Sequence, residues 1–293
     1  MHIKIAYLSA LLLSVTQAVA VETPKQITAN GTALTYVEEG KGVPVVLVHG
    51  AVGDYRTWTG EMADFASRYH VIAYSLRSHY PNTWTDGPYS AQVHTADLVA
   101  LLQALNLGPV HLVGHSYGGL MATVVAREHP ELVRSLVLAE PSLNGLIAAN
   151  EDAKAQLAQV GTVMKTAQGL VQKGESEQAV IAFIDFVNEP GGGFKGIPEF
   201  YRNGMLQNAS TVKPLLASPP PPSFTCDDAK TMTVATLLVE GQLTHEFRRM
   251  VNAELLRCLP HAERTVVPGA AHPLEMVKPQ EFNAAVLQFL DQH

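Results

Sequence analysis

Beyond Val43 the chain alternates two hydrophobic rhythms. Short apolar runs at Val43–Val48, His70–Tyr74, Val110–Val113, Ser135–Leu138, Val234–Val239 and Arg264–Val267 are nearly continuous rather than alternating. Such runs suit strands buried on both faces. Between them lie segments with helical spacing. In Ala91–Leu105, residues Val93, Ala96, Leu98, Leu101, Leu102 and Leu105 fall near one face, and residues 117–128, 245–258 and 279–290 also read as helices. Strands alternating with helices predict the α/β class: a mainly parallel twisted sheet flanked by helices. Ahead of these, Gln26–Thr28 and Thr32–Val37 flank Asn30-Gly31, a strong hairpin signal.

One stretch breaks the alternation. Residues 145–215 carry helical patterns and no clear strand, Gly191-Gly192-Gly193 divides them, and Pro219 to Pro222 closes them as a stiff linker. The expected organisation is therefore a core at 21–140, a helical lid at 141–229, and the rest of the core at 230–293. Met164, Phe183, Phe186, Phe194, Phe200, Tyr201 and Met205 either line a pocket under that lid or simply pack it onto the sheet.

The first twenty residues do not fit the fold. Lys4 precedes an apolar stretch from Ile5 to Val15, and Ala18-Val19-Ala20 supplies small residues where a signal peptidase reads. This predicts a secretory signal cleaved after Ala20 and a secreted or periplasmic protein. The apolar stretch is shorter than the roughly 20 residues that span a bilayer, so no stable membrane insertion is expected. Export places the two cysteines, Cys226 and Cys258, where a disulfide persists. One bridge or two buried thiols are the alternatives.

Composition narrows the picture only at the margins. With 47% apolar and 16% charged residues among 293, the chain can bury a sizeable core. A net charge of −7 argues against a nucleic-acid partner, because that binding runs on Lys and Arg. No cluster of residues has metal-ligand spacing, so neither a metal nor a cofactor is expected. Nothing in the sequence selects an oligomeric state.

The strongest chemical signal is Gly114-His115-Ser116-Tyr117-Gly118, between the run Val110–Val113 and the helix pattern at 117–128. A serine on a sharp strand-to-helix turn has its Oγ lifted clear of the sheet, beside the free N–H groups of a helix N-terminus. Flanking glycines let neighbouring chain approach. On this motif the chain resembles the α/β-hydrolase superfamily, and the likeness covers nearly all of residues 25–293. His49-Gly50 is similar to the family's oxyanion loop, which implies that the N–H groups of Ala51 and Tyr117 form an oxyanion hole. Pro268-Gly269-Ala270-Ala271-His272-Pro273 is similar to its catalytic-histidine loop. Ser75-Leu76-Arg77-Ser78 keeps only the arginine of the family's Asp-x-Arg-Gly.

A serine nucleophile needs a base near neutral pKa. Of 12 histidines, His272 stands apart by its position after the last strand, and it is the expected base. His49 and His115 read as structural, and His79, His94 and His111 as core or surface residues. The acid that should orient the base is contested. The resemblance implies Gly-x-x-Asp after Val234–Val239, but this chain has Gly241-Gln242-Leu243-Thr244. A second position known in the superfamily follows the preceding strand, where Ala139-Glu140-Pro141 places a carboxylate at the C-terminal edge of the sheet. Glu140 is the expected acid, with Glu240 and Glu246 as alternatives. Asp54, Arg56 and Trp58 read as structural, with contact to the substrate or the lid as the alternative.

These residues predict a serine hydrolase acting on a small-molecule carboxylic ester or lactone with an apolar part. Cleavage of a C–C bond in a β-diketone-like substrate uses similar residues. Amide cleavage, acyl transfer and a non-catalytic binder on the same fold are further alternatives.

Overall fold

The computed structural model describes residues 23–83, 87–221, 223–259 and 261–293. The expected signal segment lies outside the described residues, as does Pro222 of the proline linker.

The chain opens with the hairpin β1 (Lys25–Ala29) and β2 (Thr32–Gly40), with Asn30 and Gly31 both at positive φ in the turn. Then follow β3 (Pro44–Val48), α1 (Thr59–Ala66), β4 (His70–Tyr74), α2 (Ala91–Leu105), β5 (Val110–His115), α3 (Tyr117–Glu128) and β6 (Val133–Ala139). Five helices come next without a strand: α4 (Lys154–Gln172), α5 (Ser176–Val187), α6 (Glu199–Gln207), α7 (Val212–Ala217) and α8 (Cys226–Thr231). The core resumes with β7 (Thr236–Gly241), α9 (Glu246–Cys258), β8 (Ala262–Val267), α10 (Leu274–Val277) and α11 (Pro279–Leu290).

The eight strands form one sheet in the order β1-β2-β4-β3-β5-β6-β7-β8. The pairs β1–β2 and β2–β4 are antiparallel, and every later pair is parallel. The continuous apolar runs are explained by burial on both faces. In β3, Val46 and Val48 join a core with Leu98 of α2, Leu120 of α3 and Phe247 of α9, while Val45 and Leu47 face Phe65 of α1 and Phe282 of α11. Side chains alternate across a strand, so each face takes every second residue and both must be apolar. The last strand, β8, is the exception, with exposed Val266 at the sheet edge.

The helical insertion has its own core, including Val180, Ile184 and Val187 of α5 and Met205 of α6, which closes against Val52 and Met276 of the main body. A second tie is polar. Asp54 binds Arg56 through two parallel hydrogen bonds (2.8 and 2.7 Å), and Arg56 Nη2 donates to Gln207 Oε1 (2.7 Å). Asn208 Nδ2 donates to Asp54 Oδ2 (2.8 Å) and to the Gly53 carbonyl (3.1 Å). Trp58 is fully buried against Phe282. At the insertion's far end, Cys226 of α8 and Cys258 of α9 are paired as a disulfide. Among the described residues, no helix is long and apolar enough to cross a membrane.

The Asp-x-Arg-Gly departure resolves physically. Arg77 is buried and makes a bidentate pair with Asp97 of α2 (2.6 and 2.5 Å). Ser78 takes the glycine position at φ +62°. The backbone conformation is kept although the residue that favours it is not.

Glu61 of α1 and Glu275 of α10 are both fully buried; neither Glu61 oxygen has a hydrogen-bond partner among the described residues, and Glu275 Oε1 lies 2.9 Å from His115 Nδ1. Burial, and then the neighbouring Glu275, push the Glu61 carboxyl well above the ordinary 4.5. Such a group keeps its proton on folding. Its contribution to stability is therefore present below the ordinary value and is lost as pH rises through the folded one. The melting temperature of the wild type should thus fall with rising pH more steeply than that of Glu61→Gln. Parallel curves across pH 4 to 9 would show that Glu61 ionises in place without cost.

Candidate active site

Ser116 sits between β5 and α3 with φ +53° and ψ −112°, a conformation that costs a non-glycine residue of order 1–3 kcal/mol. Packing holds it there. A Cβ on Gly118 would lie 2.2 Å from the Val48 carbonyl oxygen, and one on Gly114 would lie 2.7 Å from that of Gly118. Only glycine lets α3 descend this close to the sheet. The Ser116 N–H is tied to the Ala139 carbonyl (2.9 Å), which registers the turn on β6.

Three of the expected residues meet in one chain of hydrogen bonds. Ser116 Oγ is 3.0 Å from His272 Nε2, and His272 Nδ1 is 2.7 Å from Glu140 Oε2. All three side chains are buried. Glu140 stands one residue past β6, itself at φ +46°. Thr244 Oγ1 donates to its Oε2 (2.8 Å) and the Gly241 N–H to its Oε1 (2.8 Å). The hydroxyl that occupies the expected acid slot of Gly241-Gln242-Leu243-Thr244 is thus a donor to an acid on the neighbouring strand. Gly241 also admits the histidine loop, since a Cβ there would lie 2.6 Å from the Ala270 carbonyl oxygen.

The alternatives do not join this chain. Glu240 accepts from Arg264 Nη2 (2.7 Å) and Asn252 Nδ2 (3.1 Å). Glu246 is exposed on α9 and pairs with Arg249.

Electrostatics set the protonation. Burial pushes the Glu140 carboxyl up to about 7, against the pull of the Arg248 guanidinium, the Gly241 N–H and the Thr244 hydroxyl. Burial also pushes His272 well below 6.5, with Arg248 and His115 adding to the shift. A neutral imidazole whose Nδ1–H donates to Glu140 presents a free Nε2 lone pair to Ser116.

Ala51 and Tyr117 flank the serine. Tyr117 is the first residue of α3, so its N–H has no intrahelical acceptor. The Ala51 N–H bonds no backbone carbonyl among the described residues. Its loop is held by His49, whose Nε2 accepts from the Leu76 N–H (3.1 Å), and by His79, whose Nδ1 meets the Gly53 carbonyl (2.7 Å). Burial keeps both imidazoles neutral, His49 falling to about 4.

His115 braces the opposite side. Its Nε2 lies 3.0 Å from the His272 carbonyl, which can only accept, so Nε2 carries hydrogen. Its Nδ1 then faces Glu275 Oε1 at 2.9 Å. Sequence reasoning missed this contact, as it missed Thr244, Arg248 and Ser142, whose Oγ is 3.2 Å from that of Ser116. Ser142 follows Glu140 by two residues, and nothing in its spacing marks it.

A cavity of about 330 Å³ opens at Ser116, beneath the insertion. Met164, Phe183 and Phe186 line it, and Phe183 and Met205 line a smaller recess next to His272. Phe194, Phe200 and Tyr201 do not reach Ser116: Phe194 packs in the insertion core, and Phe200 and Tyr201 border a separate crevice beside Arg56.

The family model for the alpha/beta hydrolase fold matches residues 43–190. Among curated proteins, (E)-2-((N-methylformamido)methylene)succinate hydrolase of Acinetobacter baylyi is 32% identical over 140 residues, 48% of this chain and 51% of that protein. The 2-hydroxymuconate semialdehyde hydrolase of a Pseudomonas species is 33% identical over 121 residues, 40% of this chain and 43% of that protein. The chain thus spans about half, or less, of the length of these relatives. A thermophilic esterase from Thermogutta terrifontis superposes with a TM-score of 0.73 at 21% identity, covering 92% of this chain and 98% of that one. At that identity the likeness concerns the fold. The family match spans half of the sequence and runs through both the loop of Gly50 and Ala51 and the turn of Ser116, and the chain belongs to the alpha/beta hydrolase fold family.

Proposed function

We propose that this protein is a serine hydrolase that cleaves a carboxylic ester or lactone through an acyl-enzyme on Ser116. The observation that carries the reading is the hydrogen-bonded chain Ser116–His272–Glu140 at the mouth of a largely apolar cavity. His272 Nε2 takes the Ser116 proton as Oγ attacks the carbonyl carbon. The N–H groups of Ala51 and Tyr117 stabilise the oxyanion that forms. Glu140 accepts from Nδ1 throughout and stabilises the imidazolium. The leaving oxygen departs with the proton from Nε2, and water then hydrolyses the acyl-enzyme by the same path.

A second reading, cleavage of a C–C bond next to a carbonyl, draws on the 2-hydroxymuconate semialdehyde hydrolase relative. A panel of esters, lactones and β-diketones separates the two by which class turns over.

We infer further that residues 1–20 direct export and that the Cys226–Cys258 bridge forms outside the cytoplasm. Intact mass after alkylation without reductant reads both points. The exported chain should begin at Val21 and take up no label; a full-length chain or two labelled thiols would contradict the reading.

A fluorophosphonate probe should label the wild type and leave Ser116→Ala unlabelled. Equal labelling of the two would remove Ser116 from the chemistry. Glu140→Gln should lower kcat by about 10³–10⁴, by holding His272 in the wrong tautomer. Glu240→Gln should change kcat by less than about tenfold, since its carboxylate meets Arg264, Asn252 and Arg249 rather than His272. The reverse ranking would move the acid to β7.

A further inference from the structure

We propose that Arg248 anchors an anion subsite, and that the substrate bears a carboxylate next to its apolar part. This rests on the serine-hydrolase reading and deepens it. Arg248 is the third residue of α9 and lines the cavity that also opens on Ser116. Its side chain is 5% exposed. A guanidinium carries five N–H donors in a rigid fork. Here one terminal nitrogen, Nη1, donates to the Glu140 carbonyl (3.1 Å). Nε is buried without a hydrogen bond, 3.9 Å from Glu140 Oε2. Nη2 has no hydrogen-bond partner among the described residues.

Glu140 does not take up these remaining donors. Its two oxygens already accept from Gly241, Thr244 and His272. Burial pushes the guanidinium down to about 10, with Glu140 opposing, so it stays charged at neutral pH. A buried cation with idle donors on a cavity wall suits an oxyanion, and the planar fork suits a carboxylate.

The neighbouring wall fits the same ligand. Ser142 and Asn144 line the cavity beside Arg248, and the buried Asn144 Oδ1 has no partner. An amide in that position can turn either its N–H₂ or its oxygen inward. The remaining lining is mostly apolar, with Val160, Met164, Phe183, Phe186 and Leu215 contributed by the insertion. One cavity thus offers an apolar wall and a polar corner close to the reacting serine.

The test compares two esters of equal length, the para-nitrophenyl half-ester of glutaric acid and para-nitrophenyl pentanoate, which has a methyl group in place of the carboxylate. Each is assayed with wild type, Arg248→Met and Arg248→Lys, and fluorophosphonate labelling of Ser116 is followed in parallel. The wild type should prefer the half-ester by about tenfold or more in kcat/KM, chiefly through KM. Arg248→Met should lose that preference and Arg248→Lys should keep part of it.

Equal losses on both esters and in labelling would mean that Arg248 only steadies Glu140, and would overturn the subsite. So would a wild type with no preference, which needs no variant to fold. A wild type that neither hydrolyses an ester nor takes the probe would bring down the serine-hydrolase reading first, and the subsite with it.

Discussion

A carboxylate buried at the C-terminal edge of the sheet has to be satisfied from every side, and much of this site follows from that demand. Glu140 loses nearly all of its hydration, which for an isolated charge would be prohibitive. Its oxygens are met by the Gly241 N–H, the Thr244 hydroxyl and His272 Nδ1, and a guanidinium stands behind them. Each donor comes from a segment other than the one that carries Glu140. Gly241 ends β7, Thr244 lies in the following loop, Arg248 belongs to α9, and His272 follows β8. One side chain therefore fastens the β7–α9 connection, α9 itself and the loop after β8 to the end of β6. The orientation of His272 toward Ser116 is a consequence of that fastening.

The same corner carries backbone strain. Ser116 and Glu140 both stand at positive φ, at the ends of the neighbouring strands β5 and β6. Neither has a glycine's freedom, so packing must maintain the conformation. The glycines are placed around them. Gly114, Gly118 and Gly119 let α3 and the chain at Pro141 close on the serine, and Gly241 lets the histidine loop close on Glu140. A site held in this way is preorganised, which suits chemistry in which charge develops on an oxygen at a fixed position.

The cavity is made jointly by the sheet and the insertion. The body contributes polar groups at one end, and α4, α5 and α7 contribute apolar side chains opposite them. The insertion is anchored by apolar packing on Val52 and Met276 and by Asp54, Arg56 and Asn208 near the loop of Gly50 and Ala51. Those polar anchors join the roof of the cavity to the loop that presents the Ala51 N–H. Asn208, which begins an Asn-Ala-Ser triplet, is buried and committed to these bonds.

Much of the architecture was legible in sequence because its signals are local. A continuous apolar run states that both faces of a strand are covered, and helical spacing in residues 91–105, 117–128 and 279–290 matches the helices found there. Gly114 to Gly118 declares a sharp turn because a Cβ at either glycine would strike backbone. The sequence put Glu140 first as the acid, but the contacts that separate it from Glu240 and Glu246 are not local. Glu140, Glu240 and Glu246 are all carboxylates near strand ends, and their separation from His272 depends on how β6, β7 and β8 lie side by side. Thr244 read as a missing acid, yet it donates to the carboxylate on the next strand. Nothing in the sequence of 245–258 marks Arg248; it lines the cavity only because α9 packs against the sheet. The sequence alone determined which residues can do chemistry and which elements carry them, because those properties belong to single residues and short periods. Only the tertiary structure decided which of them meet, because a hydrogen bond between residues more than a hundred positions apart is set by strand order and packing.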